Sequence, residues 1–326
     1  MNDSGFSLLP QSQSLEQLVE VARTYMQAAK APGTQVAYTR DFHAFSEWCA
    51  ANNFVSMPSN APTVCLFLAY EASRGRAWST IARRVVSINQ AHKSAGYPDS
   101  PASRRYPLVS ATLKGIRRMA APARTKEPLL ADGVRALVAA CPTNLLGLRD
   151  RSLCLLGWTG GLRCDSLAML DVSDITDRAA DGIGLMLRRS KTDQEGVGRV
   201  LPIEFGEHEE TCPVRSLKAW LSSAKILGHG PIFRSVDRWG KVSSHGLNTD
   251  SISRILRRAA ARAGLPNPSD FGGRSLRSGL VTQGAISRVS PFEIMEITGH
   301  KSLAVLRLYV RLGYLSRGIS AADLGL

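Results

Sequence analysis

In the first third of the chain, apolar side chains recur at helical spacing. Leu15, Leu18, Val19 and Ala22 lie three or four residues apart, and Ser14 with Gln17 makes a capping box ahead of them. Pro32 and Gly33 interrupt the pattern. Thr34 is placed to cap a second helix, with Val36, Phe42, Phe45 and Trp48 on or near one face. Pro58, Pro62 and Pro98 punctuate further helices over 62–74 and 78–95, and a last helix covers 108–120. Before residue 125 nothing alternates with the period of two that a half-buried strand needs. The pattern predicts a small all-helical bundle.

Between Ala120 and Pro128 the periodicity stops. Two prolines bracket small and charged residues, which predicts an extended linker. Helical patterns then resume at Leu129–Cys141 and Leu145–Trp158, followed by the turn Thr159-Gly160-Gly161 and a helix over 163–170. Three short strands are expected at Val172–Ile175, Gly184–Arg189 and Arg199–Ile203, with Thr192 to Gly198 as the polar turn between the last two. Beyond them the pattern is helical over 213–226, 248–263, 275–286, 291–297 and 302–311. The expected fold is mainly α. An all-helical N-terminal domain (14–121) follows a disordered tail (1–13). A linker (122–128) leads to a mostly helical domain (129–326) with a small antiparallel β-sheet. Two domains suit 326 residues, which is long for one core.

Charge narrows the partner. The chain carries 41 Lys and Arg against 27 Asp and Glu, a net +14, which suits a polyanion whose counterions are released on binding. Residues 101–122 hold Arg104, Arg105, Lys114, Arg117 and Arg118 and no acid, so a phosphate-tracking face is as natural there as a solvated one. No apolar run approaches the roughly 20 residues that span a bilayer, and Met1 to Gln13 has neither the basic start nor the apolar centre of a secretory signal. The six cysteines, Cys49, Cys65, Cys141, Cys154, Cys164 and Cys212, form no C-x-x-C pair and mostly sit among apolar residues. They read as reduced, buried thiols of a cytoplasmic protein rather than as metal ligands.

Several residues carry possible chemistry, although each has an ordinary explanation alone. Arg163 follows a glycine turn at a helix start, where a surface arginine is common and a phosphate is also favoured. Lys191 ends a strand before a polar turn, a usual place for an exposed lysine and also one from which an acid could swing. Arg274 and Arg277 lie three apart on one helix face, where two like charges repel unless an anion lies between them. His300 follows Gly299 as turn histidines do, and Tyr309 falls in a helix where packing is the usual role.

Taken in order, these residues resemble the catalytic domain of the tyrosine recombinase, or phage integrase, family. The matching stretches are Thr159-Gly160-Gly161-Leu162-Arg163, Arg189-Ser190-Lys191-Thr192 and Gly273-Arg274-Ser275-Leu276-Arg277-Ser278-Gly279. They continue with Pro291-Phe292-Glu293-Ile294-Met295, Gly299-His300-Lys301-Ser302-Leu303 and Tyr309-Val310-Arg311. The resemblance is close over 129 to about 315. The N-terminal helices match the family's core-binding domain in size, helicity and placement only. It implies that Tyr309 attacks the scissile phosphate to form a 3′-phosphotyrosine, while Arg163 and Arg277 clamp the non-bridging oxygens. Lys191 would protonate the leaving 5′-oxygen and His300 would hydrogen-bond a phosphate oxygen. No metal or other cofactor is implied. The partners implied are double-stranded DNA with a specific recombination site, a second protomer on that site, and a homotetramer in the synaptic complex. A cytoplasmic, nucleoid-associated location in a prokaryotic host follows.

Two positions depart from the family pattern. Arg274 stands where the family usually has a histidine, and arginine cannot act as a base near neutral pH. Ser166, with Asp165 beside it, stands where an acid is usual. These departures motivate one alternative, a recombinase-derived DNA-binding protein with weakened catalysis, and similar chemistry leaves a second, a type IB topoisomerase.

Overall fold

The computed structural model describes residues 14–121, 126–188, 198–303 and Leu306. The chain divides into two compact units, Met1–Arg124 and Thr125–Leu326.

In the first unit the helices are α1 (Leu15–Ala28), α2 (Pro32–Ala51), α3 (Ala61–Ser73), α4 (Trp78–Ser94) and α5 (Pro107–Met119). The Ser14 Oγ accepts from the Gln17 N–H at 3.2 Å and the Gln17 side chain accepts from the Ser14 N–H at 3.0 Å, which completes the expected capping box. Helix α2 starts earlier than the expected Thr34 cap. Pro32 occupies its first turn, where the missing N–H costs nothing. Helix α2 packs on α4, and α3 on α5. Phe45, Phe67, Leu68, Ile81, Val85 and Ile88 fill the space between them. Asp41 is buried in this unit and is satisfied by Arg83 at 2.7 and 3.0 Å and by Ser87 at 3.1 Å. Helix α5 turns Val109 and Leu113 inward and leaves Lys114, Arg117 and Arg118 exposed, as Arg104 and Arg105 are before it.

The second unit begins with α6 (Ala131–Ala139), α7 (Leu145–Thr159) and α8 (Cys164–Met169). An antiparallel sheet of β1 (Ile175–Asp177), β2 (Ile183–Leu187) and β3 (Arg199–Ile203) follows, in that spatial order. Then come α9 (Pro213–Ser223), β4 (Arg234–Val236), β5 (Val242–Gly246), α10 (Thr249–Arg262), α11 (Gly273–Ile286) and α12 (Pro291–Thr298). Helix α7 is the central post. Leu153, Cys154, Leu155 and Leu156 are all buried, so it has no solvent face there, and it packs against α6, α9 and α11. Trp220 on α9 is fully buried beside it and donates to the Ile232 carbonyl at 2.8 Å.

Three details differ from the sequence expectation. Val172–Asp174 forms a 3₁₀ turn rather than a strand, because the Asp171 carboxylate accepts from the Ser173 N–H and the Asp174 carboxylate from the Asp171 N–H. Those local bonds compete with a sheet ladder, so pairing starts only at Ile175. The β4–β5 hairpin was not expected. Its strands are short and polar, so they carry little alternation, and its turn is built on Asp237 and Gly240, the latter at φ +82°. The later part of the expected linker is tied down. Lys126 Nζ donates to the Ser269 carbonyl at 2.6 Å, and the N–H groups of Glu127 and Leu129 donate to Asp270 and Ser275 at 3.0 Å.

The turn expected over 192–198 lies outside the described residues except for Gly198. The helix expected over 302–311 is described only in part, with Leu306 buried against Val281 and Ile294. Among the described residues, no helix is long and apolar enough to cross a membrane.

Candidate active site

Two glycine-closed helix ends and the start of α11 build the site. Helix α7 ends at Gly160, and Gly161 follows at φ +55°. The N–H of Leu162 bonds back to Gly157 at 2.9 Å and that of Gly161 to Trp158 at 3.0 Å, so the chain reverses sharply into Arg163. A Cβ at 161 would stand 2.8 Å from Leu280 and from Thr298, so glycine is required both for its backbone and for space. Helix α12 ends the same way at Gly299, φ +66°, which turns the chain into His300. Gly273 at the start of α11 faces Cys164 so closely that a Cβ there would sit 1.7 Å from its sulfur. This close approach brings the first turn of α11, with Arg274 and Arg277, beside Arg163.

Arg277 is buried and joins the two helix ends. Its Nη1 donates to the Gly161 carbonyl at 2.8 Å and to the Thr298 carbonyl at 2.6 Å, and its Nη2 donates to Nε2 of His300 at 3.0 Å. The Thr298 hydroxyl spends its one proton on the Ile294 carbonyl at 2.5 Å, so it accepts from Nδ1–H of His300 at 2.6 Å. The imidazole is therefore neutral, with its proton on Nδ1 and a lone pair on Nε2. Burial first, and then the charges of Arg277 and Arg163, lower the His300 pKa from 6.5 to about 4.

Arg163 is half-buried at the start of α8. Burial is the largest influence lowering its pKa, Asp165 opposes it, and Arg274 lowers it further, so the two guanidinium groups share one neighbourhood. Among the described residues, the side chains of Arg163 and Arg274 make no hydrogen bond or ion pair. Arg274 is exposed, whereas Arg277, one helical turn later, is 9% exposed. Arg277 and Arg163 thus add positive charge at His300, Arg274 adds more at Arg163, and the exposed Asp165 opposes it there. Such a cluster is suited to a bound anion whose oxygens accept from guanidinium N–H groups.

The structure brings Arg163, Arg274, Arg277 and His300 together. Lys191 and Tyr309 lie outside the described residues. Two residues not singled out in the sequence also belong to the site. Thr298 fixes the histidine tautomer. Arg199 on β3 donates to the carbonyls of Glu296 and Ile297 at the end of α12, at 2.6 and 2.7 Å. A lone arginine before an apolar strand gives no sign of a partner 97 residues away. A groove of about 540 Å³ was likewise not anticipated. It runs between α10 and the β4–β5 hairpin and is lined by Arg149, Arg254, Arg257 and Arg258. Among the described residues, no three His, Cys, Asp or Glu side chains gather as metal ligands would.

Comparison with known proteins adds to this geometry. A profile of the phage integrase family matches residues 127–315. An integrase/recombinase xerD homolog of Selenomonas ruminantium is 31% identical over 300 residues, covering 91% of this chain and 87% of that protein. Among solved structures, a lambda integrase dimer bound to a COC′ core site superposes with a TM-score of 0.59 at 19% identity, over 94% of this chain and 79% of that one. A lambda integrase tetramer bound to a Holliday junction gives 0.58 at 19%, over 92% and 78%. At these identities the structural likeness speaks for the fold.

Proposed function

The chain belongs to the phage integrase family and is a tyrosine recombinase, and on that premise we propose that it cuts and rejoins DNA at a specific site through a 3′-phosphotyrosine on Tyr309. The observation that carries the mechanism is the pair Arg163 and Arg274, whose side chains have no partner among the described residues, close to Arg277 and His300. A scissile phosphodiester is the anion this cluster fits.

Arg163 and Arg277 hold the non-bridging oxygens and stabilise the charge that builds on them in the pentavalent transition state. The Tyr309 hydroxyl loses its proton to water as its oxygen bonds to phosphorus, the bond from phosphorus to the 5′-oxygen breaks, and Lys191 gives the leaving 5′-oxygen a proton. The phosphotyrosine keeps the bond energy, so attack by a 5′-hydroxyl reverses the step without ATP. Once a phosphate oxygen takes over Nη2 of Arg277, Nε2 of His300 loses its donor. His300 then takes up a proton and donates to the phosphate. Arg274 donates from the opening of the site, where it replaces a base that arginine cannot provide.

The remaining surfaces suit a DNA clamp. Residues 14–121 present the exposed basic set of Arg104 to Arg118, and α10 lines a groove with Arg254, Arg257 and Arg258. Lambda integrase occurs as a dimer on a core site and as a tetramer on a Holliday junction. We infer the same assembly for this chain, acting on the nucleoid in the cytoplasm.

A nicked duplex bearing the chain's recombination site tests this reading, because loss of the short cleaved strand traps the covalent intermediate. A protein–DNA adduct that survives denaturation is expected. Tight binding to the same duplex without any adduct would favour the DNA-binding alternative instead.

A further inference from the structure

We infer that Arg199 is a positioning residue for His300, acting through the end of helix α12; this rests on the recombinase reading of the site. The last four carbonyls of a helix have no partner within it. In α12 the Met295 carbonyl takes the Gly299 N–H at 2.7 Å and the His300 N–H at 3.3 Å. The Thr298 carbonyl takes Nη1 of Arg277 at 2.6 Å. The Glu296 and Ile297 carbonyls take Nη1 and Nη2 of Arg199 at 2.6 and 2.7 Å. All four acceptors are thus filled, two of them by one side chain 97 and 98 residues away in the sequence.

The geometry uses features specific to arginine. Its planar fork reaches two successive carbonyls at once, and its charge lies at the negative end of the helix dipole. Arg199 opens β3, where it pairs with Leu187 of the sheet, so α12 is pinned to a rigid edge. Its guanidinium lies flat against the Gly299 turn, where an added Cβ would stand 3.3 Å from Nε. The next residue is His300, whose ring must meet both Thr298 and Arg277. Half-burial is the largest influence lowering the Arg199 pKa, Glu296 opposes it, and Arg163 lowers it further, which places Arg199 at the edge of the cationic cluster. Nη1 and Nη2 each donate to a carbonyl of α12, which holds the guanidinium at the helix end and makes its role one of orienting the site.

Single-turnover cleavage of the nicked duplex by wild type, Arg199→Met, His300→Ala and the double variant tests this. Arg199→Met should bind DNA as wild type does and cleave more slowly, by up to about a hundredfold for a displacement near 1 Å. In the His300→Ala background, the same change should cost only a few-fold, because the group it positions is gone. Arg199→Lys should recover part of the loss, since it restores the charge but only one carbonyl contact. Equal losses in both backgrounds would show that Arg199 does not act through His300 and would overturn the inference, as would cleavage by Arg199→Met at the wild-type rate. If Arg199→Met does not fold, Arg199→Lys in the two backgrounds gives the same comparison. Absence of any adduct with wild type would instead reject the recombinase reading itself.

Discussion

Arg277 donates Nη2–H to Nε2 of His300 at 3.0 Å, while the Thr298 hydroxyl accepts from the other ring nitrogen at 2.6 Å. In this arrangement the histidine is an acceptor toward the site. On the proposed mechanism, a phosphate that draws Arg277 away would change it into a donor. The same bond would then link anion binding to protonation, and it joins residues 23 positions apart in the sequence.

The first expected outcome concerns pH. The His300 pKa is about 4 in the folded chain, against an ordinary 6.5. Between those values the unfolded chain binds more protons, so stability is complete above 6.5 and declines as pH falls toward 4. Because the ring is only half-buried, the loss from this group should be about 1 kcal/mol. Urea unfolding of wild type and His300→Gln, near neutral pH and at about pH 4.5, isolates it. An equal decline in both proteins would show that His300 is not held neutral.

Arg277→Lys should be nearly as harmful as deletion. Lysine cannot serve the Gly161 and Thr298 carbonyls and the His300 ring together, since it lacks the planar fork. The loss in cleavage should be about a hundredfold to a thousandfold, the usual cost of removing a donor to developing charge. Activity within a few-fold of wild type would mean that only the charge is used.

Gly279→Ala should destabilise the second unit. Alanine is the better helix former by about 1 kcal/mol. A Cβ at 279, however, would lie 2.0 Å from the Leu129 carbonyl oxygen, which is backbone and cannot rotate away. Overpacking of about 1–3 kcal/mol or more should win. A urea midpoint unchanged or raised would show that the Leu129 segment yields.

Arg274→Ala should slow cleavage, and Arg274→His should keep or raise it. Because Arg274 is exposed, neither change should move stability by more than about 0.5 kcal/mol. Cleavage by Arg274→Ala at the wild-type rate would reduce the side chain to a solvated charge.

Much of this architecture was legible in the sequence. Apolar spacing and proline placement located α3, α4, α5 and α7 to within about two residues, because each is a long element with one driving face or a fully apolar centre. Arg163 and His300 were legible in the sequence from the Gly161 and Gly299 turns that precede them, where backbone demands restrict the residue type. The rest depended on distance. Arg199 meets α12 only after the fold forms. Thr298 matters through one hydroxyl proton. The β4–β5 hairpin holds too few apolar residues to announce itself. The Val172 segment resembles a strand in sequence because Val172 and Ile175 are β-branched, whereas the competing bonds of Asp171 and Asp174 are visible only in the structure.

The most direct measurement is the location of the covalent bond. Wild type and Tyr309→Phe are incubated with the nicked duplex, separated under denaturing conditions, and the adduct is digested and sequenced by mass spectrometry. The account predicts one DNA-linked peptide in wild type, modified on Tyr309, and none in Tyr309→Phe, which should still bind the duplex. An adduct that persists in Tyr309→Phe and maps to another residue, such as Tyr314, would contradict it.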